Sequence, residues 1–121
     1  MYSLSRVILE LILISMTSII LIRINCPDDK CAAAIGETLV LKKLAACINI
    51  DGPVEAIYMW EDELEREEEW VLWVKAPHEN YSKIEAEVID LHPHEIPAIL
   101  ALPCIESNAR YADWLNTNAK S

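Results

Sequence analysis

Apolar and polar positions change period several times along the chain. Residues 17–24 (TSIILIRI) are dense in β-branched side chains and predict a buried strand. Cys26-Pro27-Asp28-Asp29 reads as a turn into a helix, with Asp28 placed to cap its positive end. That helix is expected to reach about Leu44. Cys31, Ile35 and Leu39 recur every four residues on one face, and Lys42 and Lys43 suit its negative end. Gly36 inside it is about 1 kcal/mol less favourable than Ala, which points to a close packing contact there. Residues 47–50 begin a second strand, interrupted by the turn residues Asp51-Gly52-Pro53 and resumed over 54–60 (VEAIYMW). Residues 61–69 (EDELEREEE), with seven acids and one base, predict a solvated hairpin tip. A third strand spans 70–75 and Pro77 ends it. Asn80 then opens a helix with Ile84, Val88 and Leu91 on its apolar face. His92-Pro93-His94-Glu95-Ile96-Pro97 forms a rigid connection to a fourth strand at 98–105. A last helix, 108–118, is expected to turn Tyr111, Trp114 and Leu115 inward.

The order β-α-β-β-α-β with a terminal helix defines an α+β, ferredoxin-like domain. Its antiparallel sheet is ordered 4-1-3-2, with helices on one face. Strands two and four become opposite edges. That separates Cys47 from Cys104 by more than the ~7 Å between Cα atoms that a disulfide tolerates. The strands are apolar on both faces: Trp70, Leu72 and Val74 alternate with Val71 and Trp73. A sheet covered on one side alternates apolar with polar instead. The second face is therefore expected to meet another subunit.

Composition narrows the function. The chain has 121 residues, 53% apolar and 25% charged, the balance of one folded domain. Twenty acids against ten bases give a net charge of −10, which argues against nucleic acid and against charge-driven docking on anionic lipid. Cations or basic partners fit better. Two glycines cannot supply a Gly-rich phosphate cradle. The four cysteines (Cys26, Cys31, Cys47, Cys104) form no CxxC pair. They read as free thiols of a reducing, cytoplasmic compartment, with a disulfide, a metal or a redox role as alternatives.

The apolar stretch 7–22 admits three readings. As a membrane anchor it falls short of ~20 residues and contains Glu10, so a membrane partner is not expected. As a signal peptide it lacks a clean small-x-small cleavage site. Cut in two, it leaves an extension at 1–15 before a domain at 16–121, with Met16 an alternative start of translation.

Five segments resemble the CutA divalent-cation tolerance family: KLAACINI (43–50), YMWEDELE (58–65), EWVLWVKA (69–76), HPHEIPAI (92–99) and YADWL (111–115). Tyr58, Trp60, Glu61, Glu69 and Lys75 match the family's pattern. Asp62 replaces its usual Gly, His94 its frequent Tyr, and Ala76 a common Thr. The resemblance implies a stable homotrimer similar to the PII signalling trimers, association with copper or another divalent cation in some bacterial members, and no enzymatic reaction. No cofactor is required.

For the metal, the resemblance implies a Cys late in the first strand and two His before the Pro. Those positions here are Ile24, Leu91 and His92, so His92 remains, with Cys26 as a displaced substitute. Thiolate and imidazole suit copper. The plain alternative for His92 is a turn residue before Pro93. A cleft reading gathers Cys47, Tyr58, Trp60, Glu61, Lys75, His92 and Trp114 near subunit boundaries, where aromatic walls and a few polar groups suit a small ligand. The alternative for the aromatics is a purely structural interface, and Lys75 with Glu69 would make a structural ion pair. No third group orients Cys47 and His92 as nucleophile and base, so catalysis is not expected.

Overall fold

The computed structural model describes residues 3–9 and 19–120. The start of the first strand at Thr17 and most of the expected extension, with Met16, lie outside the described residues. Within it, residues 4–9 form a short helical stretch. The domain follows as β1 (Ile19–Cys26), α1 (Asp29–Leu41), β2 (Cys47–Trp60), β3 (Glu63–Pro77), a 3-10 turn (His78–Asn80), α2 (Tyr81–Leu91), β4 (Ile99–Pro103) and α3 (Ala109–Asn118). The sheet is ordered β2-β3-β1-β4 with antiparallel neighbours. This is the expected α+β ferredoxin-like order, with β2 and β4 at the edges.

Local chemistry sets the helix ends. The backbone N–H of Cys31 donates to Asp28 Oδ1 at 2.7 Å, the expected cap. α1 stops at Leu41, three residues before the expected end, where Lys43 takes a positive φ of 59° and the chain reverses into β2. Asn108 caps α3 by accepting from the N–H of Tyr111 at 3.0 Å. Asn80 does not cap α2 with its side chain. Its Nδ2 instead donates to the carbonyl oxygens of Leu44 (2.9 Å) and Ala119 (3.4 Å), tying three loops together.

Alternate residues of β1 and β3 face the helices: Ile20, Ile22, Ile24 and Cys26 opposite Ala76, Val74, Leu72 and Trp70. Most of these join Ile35 and Leu39 of α1 and Ile84 and Val88 of α2 in one core. Gly36 is the tight point. A Cβ there would stand 2.9 Å from Ile48 Cδ1 and 3.2 Å from Leu72 Cδ1, so the glycine lets α1 settle on the sheet. Leu91 departs from expectation. It sits in the last turn of α2 and is exposed.

The acidic run is solvated as expected over most of its length, with Glu69 buried, but from Glu63 on it is strand rather than turn. β3 extends back to Glu63, and the reversal is confined to Glu61 and Asp62, both at positive φ (49° and 66°) as in a two-residue type I′ hairpin. Cross-strand pairing explains the difference. β-rich residues 54–60 recruit the acids as partners, with Tyr58 opposite Glu65, Ala56 opposite Glu67 and Val54 opposite Glu69. Arg66 bonds Glu55 across the strands at 3.0 Å.

Candidate functional site

The sheet face turned away from α1 and α2 carries nearly all the residues singled out from the sequence. A bulge makes this possible. Asp51 pairs with Val71 and Val54 with Glu69, so Gly52 and Pro53 together face Trp70. The extra residue shifts the phase of β2. Cys47, Asn49 and Asp51 before it, and Val54, Ala56, Tyr58 and Trp60 after it, all lie on the same face. Only glycine fits at position 52, because a Cβ would lie 2.8 Å from the Trp70 ring.

Two regions share this face. The first is a groove of about 820 Å³ across β1, β2, β3 and the loop after α2. Tyr58 and Trp60 form one wall, Glu65, Glu67 and Glu69 run along the floor, and His94 and Ile96 close the other side. The Tyr58 hydroxyl pKa is raised, first by desolvation and then by the carboxylates beside it, Glu67 foremost. Glu69 is buried and accepts from Asn25 Nδ2 at 3.2 Å, not from Lys75. The expected Glu69–Lys75 ion pair is therefore absent, since six positions along β3 hold the two apart. On the groove's β4 side Leu100 is 63% exposed, and Leu102 beyond it is open as well.

The second region lies at the far end of β2. Cys47 is the cross-strand neighbour of Lys75, whose Nζ stands 5.8 Å from the centre of the Tyr111 ring. Tyr111 stacks on Trp114 with centroids 5.6 Å apart. α3 therefore covers this end of the second face. Its inward residue is Leu115 alone; Tyr111 and Trp114, expected inside, are part-exposed, Trp114 at 46%. They spend their apolar area on each other and on Lys75.

A single chain does not bring the seven cleft residues together. Eleven positions of β2 separate Cys47 from Tyr58, about 30 Å of strand. Tyr58, Trp60 and the turn residue Glu61 form one group, and Cys47, Lys75 and Trp114 another.

His92 belongs to neither. Its Nε2 lies 2.7 Å from the carbonyl oxygen of Asn25, and the N–H of His94 donates to its Nδ1 at 3.1 Å. Because Nδ1 accepts, Nε2 carries the proton and the ring is neutral. Both nitrogens are committed to backbone. His92 sits one residue from Cys26, as the copper reading requires, yet Cys26 is 0% exposed and points into the core. His92 and Cys26 therefore do not fit a copper ion as a pair. Among the described residues no cluster of three or more His, Cys, Asp or Glu side chains is arranged to hold a metal.

Fold and surface together define a ferredoxin-like α+β protein whose distinctive feature is an uncovered sheet face prolonged by a long β-hairpin. A sequence model of the CutA1 divalent ion tolerance protein matches residues 20–118. The divalent-cation tolerance protein CutA of Thermus thermophilus is 39% identical over 95 residues, covering 78% of this chain and 92% of the relative. Its solved structure superimposes with a TM-score of 0.82 over 84% of this chain and 99% of that one. A CutA homolog of Xenopus laevis is 34% identical over 92 residues; these cover 76% of this chain and 61% of that longer protein. The chain belongs to the CutA1 divalent ion tolerance family.

Proposed function

We propose that this chain serves divalent-ion tolerance as a homotrimer, without catalysing a reaction, in the cytoplasm. The observation that carries this reading is the uncovered sheet face. Leu100, Tyr58 and Trp60 border a groove that no element among the described residues fills. Monomeric proteins rarely leave such apolar area open, and closed rings of identical subunits cover it. The β2–β3 hairpin, projecting beyond the helices, supplies the arm that reaches a neighbour. In such a ring the aromatic group at Tyr58, Trp60 and Glu61 meets surfaces of another copy.

A second reading has a specific observation behind it. Both nitrogens of His92 are bonded, which favours clefts that take a small ligand or partner protein over a metal held by His92.

Complementation tests the first reading. Cells lacking the gene, challenged with copper(II), are expected to regain growth with the wild-type chain but not with Leu100→Glu, which sets a charge on the covered face. Equal rescue by both would refute an oligomer-dependent role in ion tolerance.

A further inference from the structure

Glu65, Glu67 and Glu69 alternate along β3 and share one face, about 7 Å apart along the strand. Their cross-strand neighbours on β2, Tyr58, Ala56 and Val54, carry no charge. Among the described residues no ion pair neutralises any of the three. Glu69 is the extreme case. It lines the groove at 6% exposure, and its one hydrogen bond among the described residues comes from the amide of Asn25. A carboxylate this buried ordinarily meets a cation. Arg23 shares the groove, but its guanidinium lies over the Trp73 ring, 5.7 Å from the centroid, and not on the row. His94 and Glu95 stand on the opposite rim.

The row does not converge on one point. A metal ion needs its oxygen ligands all within about 2–2.6 Å of its centre, and the described residues hold no metal-binding cluster. The groove is long instead, and its walls are apolar. Val54 and Ala56 are half-buried along one side, with Ile96 and Leu100 along the other. A hydrated inorganic cation gains nothing from such walls, whereas an alkyl chain does.

From this arrangement we infer that the groove binds a linear polyamine, an alkyl chain carrying ammonium groups at intervals. The ammonium groups meet the carboxylates in turn, the one at Glu69 supplying the cation that the buried carboxylate lacks. The methylenes between them lie against the apolar walls. At the outer end Tyr58 and Trp60 present their rings to the last charge. A spacer of four methylenes spans roughly the separation of alternate residues on a strand, so spermidine is a fitting probe. The net charge of −10 draws polycations to the protein. This inference rests on the small-ligand reading of the cleft and names the class of that ligand.

Isothermal titration of the full chain with spermidine, at low and high salt, tests it. The expected result is one spermidine per chain, bound more weakly as salt rises. Glu67→Gln should weaken binding about tenfold, the loss of one charge-assisted hydrogen bond. Glu68→Gln removes the same charge from the opposite face of β3 and should leave binding unchanged. Trp60→Leu should weaken it about threefold. Magnesium chloride at matched ionic strength should not displace spermidine. Glu67 is exposed, so its variant decides the matter even if a Glu69 variant fails to fold. Equal losses in Glu67→Gln and Glu68→Gln, displacement by magnesium, or no binding at all would overturn the proposal, as would binding of a trilysine peptide in place of spermidine. A thermal-shift panel of organic anions, neutral polyols and amines keeps the two readings apart. Stabilisation by another class, abolished in Trp60→Leu, with none from spermidine rejects the polyamine and keeps the cleft. Stabilisation by no class rejects both.

Discussion

The imidazole of His92 donates from Nε2 to the carbonyl oxygen of Asn25 at 2.7 Å, fastening the loop after α2 to the end of β1. The side chain of Asn25 in turn holds Glu69 of the hairpin, so one tether joins the loop, the central strand and the arm. His92→Phe keeps a ring but loses both hydrogen bonds and leaves the Asn25 carbonyl unpaired. A loss of about 1–3 kcal/mol in urea unfolding is expected. An unchanged midpoint would show that the tether contributes nothing.

Gly36 gives a prediction with two signs. Ala would favour the helix by about 1 kcal/mol, but its Cβ meets Ile48 Cδ1 at 2.9 Å, and overpacking costs about 1–3 kcal/mol. Gly36→Ala is therefore expected to destabilise. Ile48→Val deletes the clashing Cδ1. In that background Cγ1 still stands 3.0 Å from the added Cβ, so Gly36→Ala should destabilise less than it does in the wild type. Equal effects in both backgrounds would place the clash elsewhere.

The hairpin turn is strained where glycine is absent. Asp62 holds φ at 66°, a left-handed conformation that a Cβ opposes. Asp62→Gly should raise stability by about 0.5–1 kcal/mol, read from denaturant unfolding with an unchanged slope. A loss would mean that the Asp side chain supports the turn in a way its backbone does not reveal.

Tyr81 sets an alkaline limit. Its hydroxyl donates to Glu85 at 2.7 Å, and this bond, with burial second, raises the phenol from 10.0 to about 12. The folded state holds this proton more tightly than the unfolded one. Its contribution is thus whole below about pH 10 and lost as pH rises through about 12. Wild type minus Tyr81→Phe, measured from pH 9 to 12.5, should show that decline. A flat difference would rule out the bond as its source.

Periodicity and turn chemistry carried the element order and sheet topology from the sequence. Ile20, Ile22 and Ile24 against Leu72 and Val74 needed only alternation, and Asp28 announced its cap. The bulge was not legible, because Gly52-Pro53 reads equally well as a chain reversal. Parity alone puts Cys47 and Trp60, thirteen positions apart, on opposite faces; the extra residue reunites them. Glu63 to Glu69 were misplaced for another reason. Acidic residues disfavour strands on intrinsic grounds, but here their cross-strand partners decide.

The central claim is that the uncovered face is closed by two further copies. Sedimentation equilibrium of the full chain at micromolar concentration measures this most directly. The account predicts a single species of three times the 13.7 kDa chain mass, persisting on tenfold dilution. A monodisperse species of 13.7 kDa would contradict it.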